Sequence, residues 1–319
     1  MQRGSITQQL GRFDIEGTLC FVPGVIALLL ALQWGGTKYP WSDGHIIGLL
    51  VLCFVLLAAF LSIQIWKQDR ATIPPHLFRN RTLWACFCFI GFLCSALTIF
   101  MYYLPLWFQG IQGSSAFLAS VKLLPLILGL VVFALVTGAL VGVCDYYTPF
   151  LMASSVCMSI GAGFLSTLRI DSAASAWIGY QCLFGFGIGL GIQQPVIAVQ
   201  TSLEPEHVAI GTALLQFSQS LGGAVFVSVA QNIFQNKLAS SIISAGNPEV
   251  DLRDVLALGA TQFRQHFSGE ALQIVVDAYN MAITSCFYVA AALGALSFVC
   301  AAFVPWNSVK KTKTRTAVI

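Results

Sequence analysis

Apolar residues run almost unbroken for about twenty positions at a time along this chain, and short stretches carrying charge, proline or glycine interrupt them. The runs fall at 17–34, 46–66, 83–108, 117–143, 149–168, 176–200, 209–234 and 282–304. A hydrocarbon core about 30 Å thick is crossed by about 20 helical residues, so the pattern predicts eight transmembrane helices. A membrane barrel would instead show alternating segments of roughly ten residues, and continuous runs of this length disfavour it. The expected fold class is an all-α integral membrane protein.

Composition agrees. Charged residues are 9% of the 319 positions, hydrophobic ones 57%, and the mean hydropathy is +0.80, against roughly 25% charged in ordinary soluble domains. No stretch is left for a sizeable soluble domain. The formal net charge of +3 says less than its distribution. When loops are assigned alternately, one side collects Arg3, Arg12, Lys67, Arg70, Arg79, Arg81, Lys310, Lys311, Lys313 and Arg315, and the short loops opposite hold Lys38 and Arg169. The positive-inside rule then places both termini in the cytoplasm. Ahead of the first run, Asp14 and Glu16 and the lack of a small-residue cleavage site argue for a retained first span.

The expected organisation is a cytoplasmic segment at 1–16, two linker helices at 17–66 and a cytoplasmic linker at 67–82 containing Pro74 and Pro75. A six-helix bundle at 83–304 follows, then a basic cytoplasmic tail at 305–319. Two groups of three spans with opposite topology would suit a transporter half. Within the bundle, 235–281 reads as a long extracellular loop whose apolar spacing allows either an amphipathic interfacial helix or a solvated loop.

The stretch GYQCLFGFGIGLGIQQP places Gly185, Gly187, Gly189 and Gly191 at every second position. A phosphate cradle needs a strand, a turn and the exposed start of a helix, whereas these glycines sit inside an apolar run. Their pairs at a spacing of four instead predict close helix packing, as do Gly222 and Gly223. Pro195 removes a helical hydrogen bond and predicts a kink or hinge. Beside it stand Gln193, Gln194 and Gln200, and the next span carries Gln216 and Gln219 with Thr212 and Ser220. Amides in hydrocarbon need a partner or water. These residues either line a polar pathway or join helices as hydrogen-bonded structure.

Lys122 lies inside the fourth run, either snorkelling to the interface or facing a water-filled pathway. Tyr102 and Tyr103, with Trp107 and Phe108, form either an aromatic interface belt or part of a substrate pathway. Nine of the ten cysteines fall within predicted spans and read as small apolar fillers; Cys86 and Cys88 point to different helix faces with no histidine nearby, so a metal site is not expected. No nucleophile–base pair, phosphate loop or zinc motif can be assembled, so neither enzymatic activity nor a cofactor is expected. No Asp or Glu occupies the middle of a span, and a complete proton-coupling apparatus is not visible.

Several longer stretches carry a family likeness: FDIEGTLCFVPGVIALLLALQWGG, YPWSDGHIIGLL, IPPHLFRNRT, YYLPLWFQGIQGSSAFLASVKLLP, GYQCLFGFGIGLGIQQPVIAVQ and GTALLQFSQSLGGAVFVSVAQNIF. In this order they resemble the fungal fourteen-span drug:proton antiporters of the major facilitator superfamily. The resemblance implies two central linker helices followed by the C-terminal six-helix bundle, hence a truncated form of the full architecture. It implies efflux of drugs, toxins or secondary metabolites, with Gln193, Gln194, Gln216 and Gln219 facing a central cavity. The implied partners are the lipid bilayer, a hydrophobic small-molecule substrate and, for a full-length transporter, the proton as coupling ion, with no nucleic acid. The plasma membrane is the expected location, the vacuolar membrane the second. The alternative is a non-transporting half-bundle, an inactive remnant or a subunit needing a partner half. At CDYY, Asp145 stands where relatives commonly have glycine.

Overall fold

The structure is a computed structural model describing residues 15–36, 38–67, 77, 80–248 and 250–306. Expectations about Asp14, most of the 67–82 linker and the basic tail beyond residue 306 lie outside the described residues. Eight candidate spans are present among the described residues, and the chain divides into two compact units between Trp84 and Ala85.

The first unit contains α1 (Ile15–Trp34) and α2 (Gly44–Lys67), packed as a hairpin. Gly24 lets the helices approach, since a Cβ there would lie 3.3 Å from Leu56 Cβ; Phe21 and Phe60 meet at 5.0 Å between ring centroids. The connection folds back through a bridge between Gly35 and Tyr39. There the Lys38 ammonium sits 4.9 Å from the Trp34 ring centroid, and Tyr39 stacks on His45.

Asp43 caps α2: its Oδ1 accepts the His45 backbone N–H at 2.8 Å and lies 2.7 Å from His45 Nδ1. The backbone bond, and then the ring, hold this carboxyl below its ordinary value of 3.8. A depressed folded pKa stabilises the fold above the unfolded value, and that contribution is lost as pH falls through the folded one. Thermal unfolding followed by circular dichroism should therefore show a component that weakens below pH 3.8, and Asp43→Ala should remove it.

The second unit holds the rest of α3 (Arg81–Gly110) and then α4 (Ala116–Val121), α5 (Leu124–Cys144), α6 (Thr148–Ser166), α7 (Ala174–Gly191), α8 (Gln194–Ser202), α9 (Pro205–Ala245), α10 (Leu252–His266) and α11 (Gly269–Phe303). The fourth span is built from α4 and α5 and the sixth from α7 and α8. The chain interrupts helical structure at Lys122–Leu123 and at Ile192–Gln193, each just ahead of a proline at the next helix start. Proline cannot donate the N–H that a continuous helix requires.

Helix α7 lies between α5 and α6, and α11 packs on both α6 and α9. Phe100 of α3 joins the two sides, with its ring 4.4 Å from Phe184 and 4.5 Å from Phe287 between centroids. The connection expected at 235–281 is much shorter: α9 continues to Ala245, α11 begins at Gly269, and the amphipathic α10 occupies most of the interval.

Asp145 ends α5 with φ 64°, in the left-handed region, while its N–H donates to Val141 O at 3.0 Å. A side chain there costs about 1–2 kcal/mol that glycine avoids. Asp145→Gly should raise the midpoint of thermal unfolding by an amount corresponding to about 1 kcal/mol, and Asp145→Val should lower it.

Candidate functional site

The alternating glycines sort onto two neighbours. A Cβ on Gly185 or Gly189 would strike the carbonyl oxygens of Leu126 and Leu130 on α5, whereas one on Gly187 or Gly191 would strike Met158 or Ser154 on α6. All four approaches are under 3.0 Å, closer than real Cβ contacts occur. Ser154 Oγ also donates to Gly187 O at 2.6 Å. Residues two apart on a helix face nearly opposite ways and residues four apart share a face, so one glycine run fits α7 tightly between two helices. A second small-residue seam joins α3 to α9. Gly222 lies against Gly91 and Ser95, Gly223 against Thr98, and Ser218 Oγ donates to Phe87 O at 2.6 Å.

This packing holds the interrupted sixth span in place. Helix α7 stops at Gly191, two bent residues follow, and Pro195 opens the first turn of α8. At the break the two adjacent amides part. Gln193 is exposed, while Gln194 is fully buried and its Oε1 and Nε2 make no hydrogen bond among the described residues. Gln181, about three turns before the end of α7, is likewise buried with both amide atoms unbonded. An unmet buried amide group costs on the order of 1–3 kcal/mol, so Gln194 beside the break and Gln181 further back along α7 each hold polar capacity that the packing leaves unused. Gln181 escaped the sequence reading because it stands alone among apolar neighbours, without the clustering that marked the later glutamines.

Gln200 and Gln216 are exposed, Gln219 and Thr212 half-buried. Helices α8 and α9 form a packed hairpin turning at Leu203–Glu204. Counting about 1.5 Å of rise per residue from that turn puts Gln193 and Gln216 both roughly 15–20 Å from it. That distance is about half the thickness of a hydrocarbon core. Two exposed amides thus stand at similar distances from the turn on adjoining helices, and Gln200 lies nearer to it.

The remaining candidates lie toward the α10 end of the bundle. Lys122 Nζ donates to Gln112 Oε1 at 2.7 Å and Ser114 Oγ at 2.8 Å, and sits 5.4 Å from the Phe108 ring centroid. Its ammonium thereby ties the start of α5 to the connection following α3. Of the aromatic group, Tyr102 is exposed, but Tyr103, Trp107 and Phe108 are fully buried. Of the four rings only Tyr102 is placed to meet lipid or water, because the other three pack inward. Trp107 Nε1 donates to Asn280 Oδ1 at 2.8 Å. The cysteines are free thiols, and no cluster of potential metal ligands occurs among the described residues.

Eight helices long and apolar enough to cross a membrane, two of them interrupted, define a polytopic membrane protein. Residues 17–227 match the Major Facilitator Superfamily, and the chain belongs to that family. It is 48% identical over 309 residues to the MFS-type transporter astH of Aspergillus oryzae, covering 97% of this chain and 55% of that protein. It is 45% identical to the efflux pump roqT of Penicillium rubens, covering 99% of this chain and 58% of that pump. With the efflux pump aunC of Aspergillus niger the identity is 44%, covering 97% and 59%. The chain thus spans a little over half the length of the curated relatives it matches.

Proposed function

We propose that this chain forms the C-terminal part of a proton-coupled exporter of hydrophobic small molecules, with Gln193, Gln216 and Gln219 along the substrate pathway and Gln194 beside its hinge. The observation that carries the reading is the pair of exposed amides, Gln193 and Gln216, on adjoining helices within two of the candidate spans. Exposed amides are unfavourable against lipid and favourable against water or a ligand. The break at Pro195 supports a pathway helix whose two halves change angle during rocking of one bundle against another. The naming of relatives as efflux pumps supports the direction of transport. Coupling carboxylates are assigned to a partner bundle, and the plasma membrane is the proposed location.

The relatives' greater length favours a second reading, a half-bundle that does not transport by itself. The two are separated in a yeast strain lacking its own efflux pumps. The chain is expressed alone and fused behind the preceding part of the astH relative, and cellular accumulation of Nile red is recorded. The exporter reading expects the fusion to lower accumulation several-fold, with Gln193→Leu and Gln216→Leu each restoring most of it at equal surface abundance. Unchanged accumulation by a fusion that reaches the surface would favour the non-transporting reading.

A further inference from the structure

At the α10 end of the second unit, α3, α9, α10 and α11 line a half-open pocket of about 190 Å³. Its wall is aromatic. Tyr102 and Tyr103 lie 5.0 Å apart between centroids at 68°, Tyr103 and Phe234 5.7 Å apart at 46°, and Phe234 and Tyr279 5.7 Å apart at 65°. Rings turned at such angles offer both faces and edges, the two surfaces with which a further flat ring packs well. A cavity of roughly 150 Å³ accepts one benzene, so this one has room for a substituted single ring or two small fused rings.

The polar groups in the wall are equally particular. Gln231 and Gln235 sit one turn apart on α9, and both line the cavity. Gln231 Oε1 accepts a long hydrogen bond from the Tyr103 hydroxyl, at 3.3 Å. Gln231 Nε2 and the whole Gln235 amide make no hydrogen bond among the described residues, so donors and an acceptor remain for a ligand. Among the described residues no Lys, Arg, Asp, Glu or His lines the space. An ionised ligand would be desolvated there without a counter-charge, which is costly, whereas a neutral hydroxyl would be matched by the amides.

The fourth side is α10. It departs from helical geometry at Gly259, with φ 64° and ψ −178°, a conformation essentially restricted to glycine. Gly259 and Leu256 face the cavity at this irregularity. Arg264 pins the same helix to the end of α3 by donating to the backbone oxygens of Gly110 and Ile111. The irregular α10 is thus anchored to α3 and forms one wall of the half-open pocket.

We propose that this pocket is a binding site for a neutral, planar phenol, its ring seated among Tyr102, Phe234 and Tyr279 and its hydroxyl shared between Gln231 and Gln235. The site is separate from the amides of Gln193 and Gln216 and does not rest on the transport reading, because binding is measured directly.

The test uses the purified full chain in lipid nanodiscs, with radiolabelled thymol as the neutral phenol. Cymene, which lacks the hydroxyl, and cuminate, which carries a carboxylate, serve as comparators. Thymol should bind saturably, and cymene and cuminate should each bind at least about tenfold more weakly. Gln235→Trp, which fills the space from a half-exposed position, should weaken thymol by a similar factor while the melting temperature of the unliganded protein is kept. If that variant does not fold, Tyr102→Ala at the exposed edge of the wall supplies the same comparison. Thymol uptake that never saturates, equal affinity for cuminate, or binding untouched by the folded variants overturns the proposal. Transport of Nile red by the fusion is unaffected by any of these outcomes, so the two readings fail separately.

Discussion

Gly187→Val should largely prevent the second unit from assembling. The new side chain would enter the backbone of α6 at Cys157 and Met158, and backbone cannot yield as a flexible side-chain tip can. The carbonyl of Gly187 would also be driven from Ser154 Oγ. Overpacking in ordinary cores costs about 1–3 kcal/mol. Here two helices must separate along their length, so a loss of at least about 3 kcal/mol is expected. Size-exclusion yield and thermal unfolding in detergent report it. Gly138→Ala is the control: a Cβ there meets nothing within 4 Å, and a helical alanine should be neutral or stabilising by about 0.5–1 kcal/mol. An unchanged melting temperature for Gly187→Val would show that α6 and α7 are not held as close as the geometry requires.

Trp107→Ala should be nearly as damaging, by about 3–5 kcal/mol, because a fully buried tryptophan leaves a large space in the core. Trp107→Phe separates packing from polarity. It keeps much of the ring volume but strands Asn280 Oδ1, which accepts the indole N–H, at a cost of about 1–3 kcal/mol. Pairing it with Asn280→Leu should recover part of that loss, although Asn280 Nδ2 also donates weakly to Leu168 O at 3.4 Å. A coupling energy near zero in that double-mutant cycle would show that the hydrogen bond contributes nothing. Thermal unfolding of the four proteins supplies the comparison.

The eight spans were legible because a long apolar run in membrane has one economical backbone solution, the helix. Their true lengths were not. Helices α9 and α11 continue through polar residues such as Asn236, Lys237 and Glu270, where hydropathy falls although helical hydrogen bonding persists. The same shortening of the expected span put Gln235 in a loop and hid its pairing with Gln231. Pro195 announced the break beside it, but the interruption at Lys122–Leu123 was read as one continuous run despite Pro125.

Side-chain direction was harder still. Gln193 and Gln200, seven residues apart, are both exposed, yet only the local break shows why the neighbouring Gln194 turns inward. For Tyr103, Trp107 and Phe108, composition cannot distinguish rings at a lipid interface from rings packed within the bundle end. Their partners, Gln231, Asn280 and Trp177, are distant in sequence.

Helix α9 has 41 residues, about 60 Å of continuous rod, while the hydrocarbon layer is about 30 Å thick. It packs against the 35-residue α11 along the way. A rod twice as long as the layer it crosses is a lever. Tilting it by about five degrees about its midpoint would sweep each tip sideways by roughly 3 Å. Small angular changes deep in the bilayer would therefore be read out, enlarged, in the water beyond it.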